Sequence, residues 1–274
     1  MSTDLQPPLP LPRPAATAPP ASAPPGTAAV PGPAPDLVPD IGLLPHPVLD
    51  NPAWAALSGP HRGFAEIVGR AARYRADVAP FVALGDPDDP RAWDDLAELL
   101  GPGGVTAITG ATAVPDHWET VQQGSGVQLL ATSLRTAVDR EAVRLTTADV
   151  PEMLDLVSRT KPGPFLPRTV ELGAYWGIRR SGRLVAMAGE RLRPPGYTEI
   201  SAVCTDAGHR GEGLATRLVR HVAAGIEDRG DQPFLHAVAE NTRAIALYRS
   251  IGFTLRRRTV FPVVRAPGGE AAGA

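Results

Sequence analysis

The sequence predicts a mixed α/β (α+β) fold with a mostly antiparallel sheet, and three features of residues 141–274 predict it. Predicted strands come before and after the predicted helices, without a regular strand–helix alternation. Two apolar segments, Tyr175–Arg180 and Leu184–Arg193, are joined by a Ser-Gly pair, which predicts a hairpin. A predicted helix over Gly213–Glu227 repeats an apolar residue every fourth position, so one face is expected to pack on the sheet. That stripe consists of Leu214, Leu218, Val222 and Ile226.

The other elements are predicted in chain order, and the sequence shows no internal repeat of fixed period. Within 141–274 they are a helix at Asp149–Arg159, strands at Tyr197–Thr205 and Phe234–Val238, a helix at Thr242–Ile251 and a last strand at Phe253–Val264. Residues 48–140 form a separate N-terminal α/β region without a chemical motif. Its predicted elements are helices at Pro52–Tyr74 and Arg91–Leu100, a strand at Val105–Ile108 and, after a turn at 124–126, a strand at 127–130.

Residues 1–47 are predicted to be a disordered Pro/Ala-rich tail. They hold 15 of the 31 prolines and eight alanines, with almost no aromatic or β-branched residues. Such a segment cannot bury enough apolar surface to offset its chain entropy. Prolines also interrupt every apolar stretch near Met1, which argues against a signal peptide.

Composition and charge exclude several classes of function. The formal net charge of -2 excludes a general polyanion binder, and the arginines at 256–258 are interpreted as a solvated strand edge, so no nucleic-acid partner is expected. No apolar run approaches the roughly 20 residues of a membrane span. The single cysteine, Cys204, cannot form an internal disulfide, and the histidines lack ligand spacing, so we expect a cytoplasmic protein with no bound metal.

The segment richest in chemical information is the turn Arg210-Gly211-Glu212-Gly213-Leu214-Ala215, which joins a strand to a helix. Gly211 and Gly213 let the backbone approach a ligand closely. The start of the helix adds unpaired N–H groups and the positive end of the helix dipole. This combination binds phosphate, with Arg210 and Arg217 as candidate sources of charge.

The Arg-x-x-Gly-x-Ala pattern of this turn resembles the Q/R-x-x-G-x-G/A acyl-CoA signature of the Gcn5-related N-acetyltransferase (GNAT) superfamily. Residues 241–253 read N-x-x-A-x-x-L-Y-x-x-x-G-F, which is similar to the helix that follows in that family. The resemblance is to the FR47-like branch, covers roughly 141–265 and is strongest over 199–253. Residues 48–140 only loosely resemble the degenerate acetyltransferase half that some relatives carry.

The resemblance implies direct transfer of an acetyl group from acetyl-CoA to a primary amine, and it assigns roles by matching position. The pantetheine arm would pair with the strand at Val203 and Thr205 and contact Asn241, which is equally suited to cap the following helix. Tyr248 would protonate the departing thiolate. The coenzyme A pyrophosphate would lie on the backbone amides of Arg210, Gly211, Gly213, Leu214, Ala215 and Thr216.

The general base stays open between two residues. Glu199 matches the base of the histone-modifying branch, and its strand parity places it on one face with Val203 and Thr205. His236, on the next strand, matches a base position of other branches. A water chain with no protein base is the third alternative. Cys204 has the opposite parity to Val203 and is interpreted as a core residue.

Two further hypotheses compete with an enzyme. The chain could bind an acyl-CoA as a sensor or structural module without turnover, or serve as a partner-binding scaffold through its Pro-rich tail. For an enzyme, residues 48–140 are expected to close the acceptor site. The candidate lining residues are Pro164, Phe165, Tyr175 and Tyr197. The acceptor, the preferred acyl length and the oligomeric state are not predicted.

Overall fold

The computed structural model describes residues 46–111 and 113–268. The predicted tail over 1–47 therefore lies outside the described residues except for its last two positions. No helix in the described part of the chain is both long and apolar enough to cross a membrane.

The described residues contain α-helices and strands in an irregular order. The helices are α1 (Pro52–Leu57), α2 (Pro90–Leu100), α3 (Val150–Thr160), α4 (Leu214–Glu227) and α5 (Thr242–Ser250). The strands are β1 (Ala65–Val68), β2 (Ala71–Tyr74), β3 (Val82–Leu84), β4 (Val105–Thr109), β5 (Glu119–Ala131), β6 (Val143–Leu145), β7 (Tyr175–Arg180), β8 (Arg183–Glu190), β9 (Tyr197–Thr205), β10 (Gln232–Val238) and β11 (Phe253–Arg265).

One sheet runs through the described residues in the order β1-β2-β3-β4-β11-β5-β10-β9-β8-β7-β6. The pairs β3–β4 and β9–β10 are parallel, and the other neighbours are antiparallel. This arrangement confirms the predicted mixed, mostly antiparallel α/β fold. Strand β5, from the N-terminal region, lies between β10 and β11 of the C-terminal region, so backbone hydrogen bonds join the two regions.

The elements of the C-terminal region lie close to their predicted bounds because their signals are local. The apolar stripe of α4 is buried along its whole length. The β7–β8 hairpin turns at Ser181 and Gly182, whose φ angles of 48° and 79° are those of a tight two-residue hairpin turn. Alternating or four-residue apolar spacing is sufficient to predict such elements.

The helix predicted over Pro52–Tyr74 is wrong beyond its first turns. Helix α1 ends at Leu57, and the chain then forms the β1–β2 hairpin. Pro60 explains the break, since it lacks a backbone N–H and disfavours helical geometry in Gly59 before it. Gly69, with a φ of 47°, then allows the tight hairpin turn.

The turn predicted at 124–126 is also wrong, because these residues lie inside β5. Gly126 pairs with Val238 on β10 and with Thr259 on β11. The Phe261 ring lies so close that a Cβ atom on Gly126 would be 2.7 Å from it. The glycine therefore serves close packing within a strand and not a turn.

Strands β9 and β10 diverge, and this divergence positions the site. Their paired residues run only from Tyr197–Gln232 to Glu199–Phe234. Beyond that point β9 carries a bulge against β8, and Ala202 in the bulge has a φ of 52°. The edge of β9 that faces β10 is thereby left open.

Candidate active site

A cavity of about 1040 Å³ lies at the divergence of β9 and β10. Of the residues that the resemblance assigns to catalysis or to coenzyme A, every one except Glu199 lines it. Those that line it are Val203, Thr205, Arg210, Gly211, Gly213, Leu214, Ala215, Thr216, His236, Asn241 and Tyr248. The predicted residues are thus brought together, although they come from two strands, a turn and two helices.

The glycine-rich turn has the geometry of a phosphate site. Gly211 and Gly213 have φ angles of 88° and 73°, and a Cβ atom on either would meet nothing within 4 Å. Gly213 is the N-cap of α4 and has no side chain to bond to the first amides of the helix. Leu214, Ala215 and Thr216, the first residues of the helix, line the cavity, and the amides of a first helical turn are the groups that bind an anion.

The basic residues around the turn differ from the predicted set. Arg210 lines the cavity, as do Lys161 and Arg243, which the sequence did not single out. Arg217 instead forms ion pairs with Asp139 and Glu141, with its Nε 2.6 Å from Asp139. Its suggested role as a source of charge for the phosphates is therefore wrong.

The open part of β9 presents Val203 and Thr205 to the cavity. The Thr205 Oγ1 atom is buried and has no hydrogen-bond partner in the described structure, so a ligand with a polar arm could satisfy it. Cys204 is buried in the core as predicted, and burial raises the pKa of its thiol to about 11.

The parity argument that placed Glu199 on one face with Val203 and Thr205 is wrong. Ser201 lies opposite Gly189, and Cys204 lies opposite Met187. Gly189 and Met187 are two residues apart and share a face, so Ser201 and Cys204 share it too. The bulge inserts one extra residue into β9 and thereby shifts the alternation, which places Glu199 on the Cys204 face.

Helix α5 supplies Asn241 and Tyr248. The Asn241 side chain accepts a hydrogen bond from the Ala244 amide at 3.1 Å, so its role as an N-cap is observed. Tyr248 is 8% exposed, and burial, with a smaller contribution from Cys204, raises the pKa of its phenol to about 12. The phenol therefore carries its proton at neutral pH.

Glu199 is fully buried and held by two side chains. Arg191 donates to both of its carboxylate oxygens, at 2.6 and 2.8 Å, and His236 Nδ1 lies 2.8 Å from Oε1. Burial alone would raise the pKa of Glu199, but the charge and hydrogen bonds of Arg191, with the His236 bond, outweigh it and hold the pKa well below its usual range. A carboxylate in this state is a weak base.

The hydrogen-bond network also fixes the tautomer of His236. Arg256 can only donate, so Gln128 must direct its Oε1 to that arginine (2.7 Å) and its Nε2 to the Leu49 carbonyl (2.9 Å). The same Gln128 amide group then donates to His236 Nε2 at 3.1 Å. His236 therefore carries its proton on Nδ1, toward Glu199, and holds a lone pair on Nε2.

Arg256 fastens the segment before α1 to the sheet. Its guanidinium donates to the carbonyls of His46 and Leu49 and to Asp50 Oδ1. Arg257 donates to the same Asp50 oxygen at 2.8 Å. A bulge between Leu255 and Arg257 brings both arginines to one side of β11, so the interpretation of 256–258 as a solvated edge is wrong for these two.

The N-terminal region lines the cavity beside His236 with Leu49, Asp50, Pro52, Ala53 and Phe81. Of the four residues predicted to line the acceptor site, only one does so. Pro164 lines the cavity, whereas Phe165 and Tyr175 are core residues beneath β7 and β8. Tyr197 packs against another core cluster, and its hydroxyl lies 2.7 Å from His46 Nδ1.

Sequence reasoning missed Arg191, Gln128 and Arg256. A signal for Arg191 was present, because it and Glu199 lie on predicted strands that are consecutive in the chain, and opposite charges on paired strands attract. No local signal exists for Gln128 or Arg256, since each contacts residues many positions away in the chain.

Comparisons with known proteins agree on one family. A family model described as FR47-like protein matches residues 175–262. A solved structure of a GNAT-family protein from Novosphingobium aromaticivorans is 37% identical, with a TM-score of 0.72, over 81% of this chain and 98% of that one. A GCN5-related N-acetyltransferase from Kribbella flavida shares the fold at 16% identity, with a TM-score of 0.52 over 80% of this chain and 97% of that one.

Two curated relatives are only partly covered by this chain. The N-alpha-acetyltransferase RimI of Mycobacterium tuberculosis is 39% identical over 90 residues, which is 31% of this chain and 56% of the relative. An uncharacterized protein of Mycobacterium leprae is 31% identical over 218 residues, 70% of this chain and 58% of the relative. The chain thus spans little more than half the length of either.

Proposed function

The chain belongs to the Gcn5-related N-acetyltransferase family, an acyltransferase family, and on that premise we propose that it transfers an acetyl group from acetyl-CoA directly to a primary amine. The membership confirms the resemblance of the 210–215 turn and the 241–253 helix to that family. The donor, the acceptor class and the residue roles below are proposals.

The cavity supports this proposal because it connects a phosphate-binding turn with an imidazole lone pair. The amides at the start of α4 would hold the pyrophosphate, with Arg210 and Arg243 beside it. Val203 and Thr205, on the open edge of β9, would pair with the amide groups of the pantetheine arm. The thioester would then lie between Tyr248 and His236.

We assign His236 as the proton acceptor in place of Glu199. His236 lines the cavity and its Nε2 accepts from the neutral Gln128 amide, whereas both Glu199 oxygens are bound by the Arg191 guanidinium and Glu199 does not line the cavity. An alkylammonium, with a reference pKa near 10.4, must lose a proton before it attacks, so a base in reach accelerates the reaction. Glu199 would hold the Nδ1 proton and stabilise the imidazolium, and Gln128 must turn away from Nε2 as the amine binds.

The proposed reaction balances without a covalent enzyme intermediate. The amine nitrogen forms a bond to the carbonyl carbon while His236 takes the amine proton. The bond from that carbon to sulfur breaks, and Tyr248 donates its proton to the thiolate. The Tyr248 phenolate regains a proton from the His236 imidazolium through solvent, and the second proton of the entering ammonium is released to solvent, so the enzyme returns to its starting state. The raised pKa of Cys204 supports the absence of an acyl-cysteine intermediate, since the thiol stays protonated.

The experiment measures thiol release from acetyl-CoA in the presence of primary amines, and compares the wild type with Tyr248→Phe. An enzyme loses about 100-fold in kcat in this variant and keeps its acetyl-CoA Kd within about twofold. Saturable acetyl-CoA binding with no amine-dependent thiol release in the wild type would overturn the proposal in favour of an acyl-CoA sensor.

We propose that residues 48–140 form the acceptor-side wall of this site. The support is the fastening of His46–Asp50 by Arg256 and the position of Phe81 beside Arg191, whose guanidinium lies 4.6 Å from the ring centroid. In this role the region determines which amines enter, without a second catalytic site.

A further inference from the structure

The wall of the cavity is rich in basic side chains and poor in acidic ones. Among the described residues that line it, Asp50 supplies the single carboxylate. The basic residues on the same wall are Lys161, Arg191, Arg210, Arg243, Arg257 and Arg258. An acceptor that enters as an ammonium ion is therefore repelled unless its charge is compensated.

Two cationic centres at the acceptor end differ in how far they are neutralised. Arg191 is bound through both oxygens of Glu199, so a buried carboxylate cancels its charge. Asp50 instead accepts from both Arg256 and Arg257 through one oxygen, at 2.6 and 2.8 Å. One carboxylate faces two guanidinium groups there, and positive charge is left over.

Arg257 lies in line with the proposed base across the sheet. Gln128 on β5 is opposite His236 on β10 and opposite Arg257 on β11, so the three side chains share a face. Thr259, two residues further along β11, shares that face and also lines the cavity. Its Oγ1 is buried and has no hydrogen-bond partner among the residues the structure describes. A guanidinium with surplus charge beside an unsatisfied hydroxyl is suited to bind a carboxylate.

Resting on the acetyl transfer proposed above, we infer that the acceptor is a primary amine that also carries a carboxylate, bound by Arg257 and Thr259 while its amine faces His236. The carboxylate takes up the surplus positive charge of the wall and compensates the ammonium of the acceptor itself. The same wall disfavours polyamines and plain alkylamines, because its one described carboxylate, Asp50, already accepts from Arg256 and Arg257.

The sheet sets the spacing between the two groups of the acceptor. One strand separates β10 from β11, so the backbones of His236 and Arg257 lie about 10 Å apart, twice the usual interstrand distance. Both side chains project from the same face of the sheet, so we take the distance between their polar ends to be similar. A hydrogen bond of about 3 Å at each end then leaves room for a short methylene chain between amine and carboxylate. The probe 4-aminobutanoate has such a chain, and butylamine and 1,4-diaminobutane match it in length without the acid.

The test compares kcat/KM for these three amines by thiol release from acetyl-CoA. The inference predicts that 4-aminobutanoate exceeds both other amines by about tenfold or more, and that butanoate inhibits in competition with it. The substitutions Arg257→Gln and Thr259→Val lower the ratio of 4-aminobutanoate to butylamine, about tenfold for the first and less for the second. Arg265→Gln is the matched control, since Arg265 is an exposed, ion-paired arginine on the same strand that does not line the cavity.

The outcomes separate this inference from the proposed function. Turnover of butylamine or 1,4-diaminobutane as fast as 4-aminobutanoate overturns the carboxylate site and leaves acetyl transfer standing. A ratio that falls equally in Arg257→Gln and Arg265→Gln also overturns it, because general charge then explains the preference. Thiol release with none of the amines overturns the proposed function and this inference with it.

Discussion

The two ends of the cavity are built by different means. The proposed phosphate end is a run of consecutive residues, 210–216, with positive-φ glycines and the backbone amides that begin α4. The acceptor end is assembled from side chains far apart in the chain, which the Arg191–Glu199–His236–Gln128–Arg256 hydrogen-bond network holds together. The comparison teaches that the proposed donor end is set by local backbone shape, whereas the proposed acceptor end is set by long-range packing.

The largest effect on stability is expected when the buried Glu199 carboxylate is removed from the network. Glu199→Ala leaves Arg191, whose side chain is 12% exposed, without its counter-charge. Breaking a buried ion pair from one side costs about 3–5 kcal/mol, so the free energy of unfolding should fall by that amount in urea titrations. The acetyl-CoA Kd of the folded protein should stay within about twofold, because the turn is untouched.

A paired variant separates lost charge from lost packing in that experiment. Glu199→Leu combined with Arg191→Met removes both charges and should recover most of the stability. A cost below about 1 kcal/mol for Glu199→Ala alone would contradict the account of the network.

A second effect concerns pH and His61, which is buried in the N-terminal region beside Phe64 and Tyr74. Its Nδ1 lies 2.8 Å from the Tyr74 hydroxyl, and burial, with the charge of Arg193, lowers its pKa to about 4. The unfolded chain binds this proton below about pH 6.5 and the folded chain only below about 4. The free energy of unfolding should therefore fall by about 3 kcal/mol between pH 6.5 and 4 on account of His61.

Urea titrations of the wild type and His61→Gln across pH 4–7 check this sign. The variant should show a flatter decline over that range. Parallel curves for the two proteins would mean that His61 does not titrate differently in the folded state.

A smaller effect is expected at the clamp that fastens the segment before α1. Arg256→Leu removes the donors to the carbonyls of His46 and Leu49 and to Asp50. We expect the acceptor KM to rise about tenfold and the acetyl-CoA Kd to change less than about twofold. Arg265→Leu, on the same strand, is the control. A rise in the acetyl-CoA Kd as large as the rise in the acceptor KM would contradict the claim that Arg256 acts on the acceptor end alone.

The same contrast explains how much the sequence predicts. The turn and helices α4 and α5 follow from local spacing, and the resemblance identifies them correctly. No sequence signal marks the bulge at Ala202. Because of this bulge, the Glu199 side chain lies on the opposite face of β9 from the one expected. The helix expected up to Tyr74 ends at Leu57, because Pro60 breaks it although apolar residues continue beyond it. Gln128 becomes a hydrogen-bond partner of His236 only through the order of the strands, and no local sequence pattern predicts that order.

The most direct test of the central claim is a calorimetric titration with acetyl-CoA of the wild type, Gly213→Glu and Gly208→Glu. Gly213 is the positive-φ N-cap of α4 in the cavity wall, so a carboxylate there blocks the phosphate turn. Gly208, three residues before Gly211, takes the same added charge outside the cavity. The account predicts saturable binding that Gly213→Glu weakens at least about 100-fold and Gly208→Glu changes less than about threefold. No binding by the wild type, or equal binding by all three proteins, would contradict it.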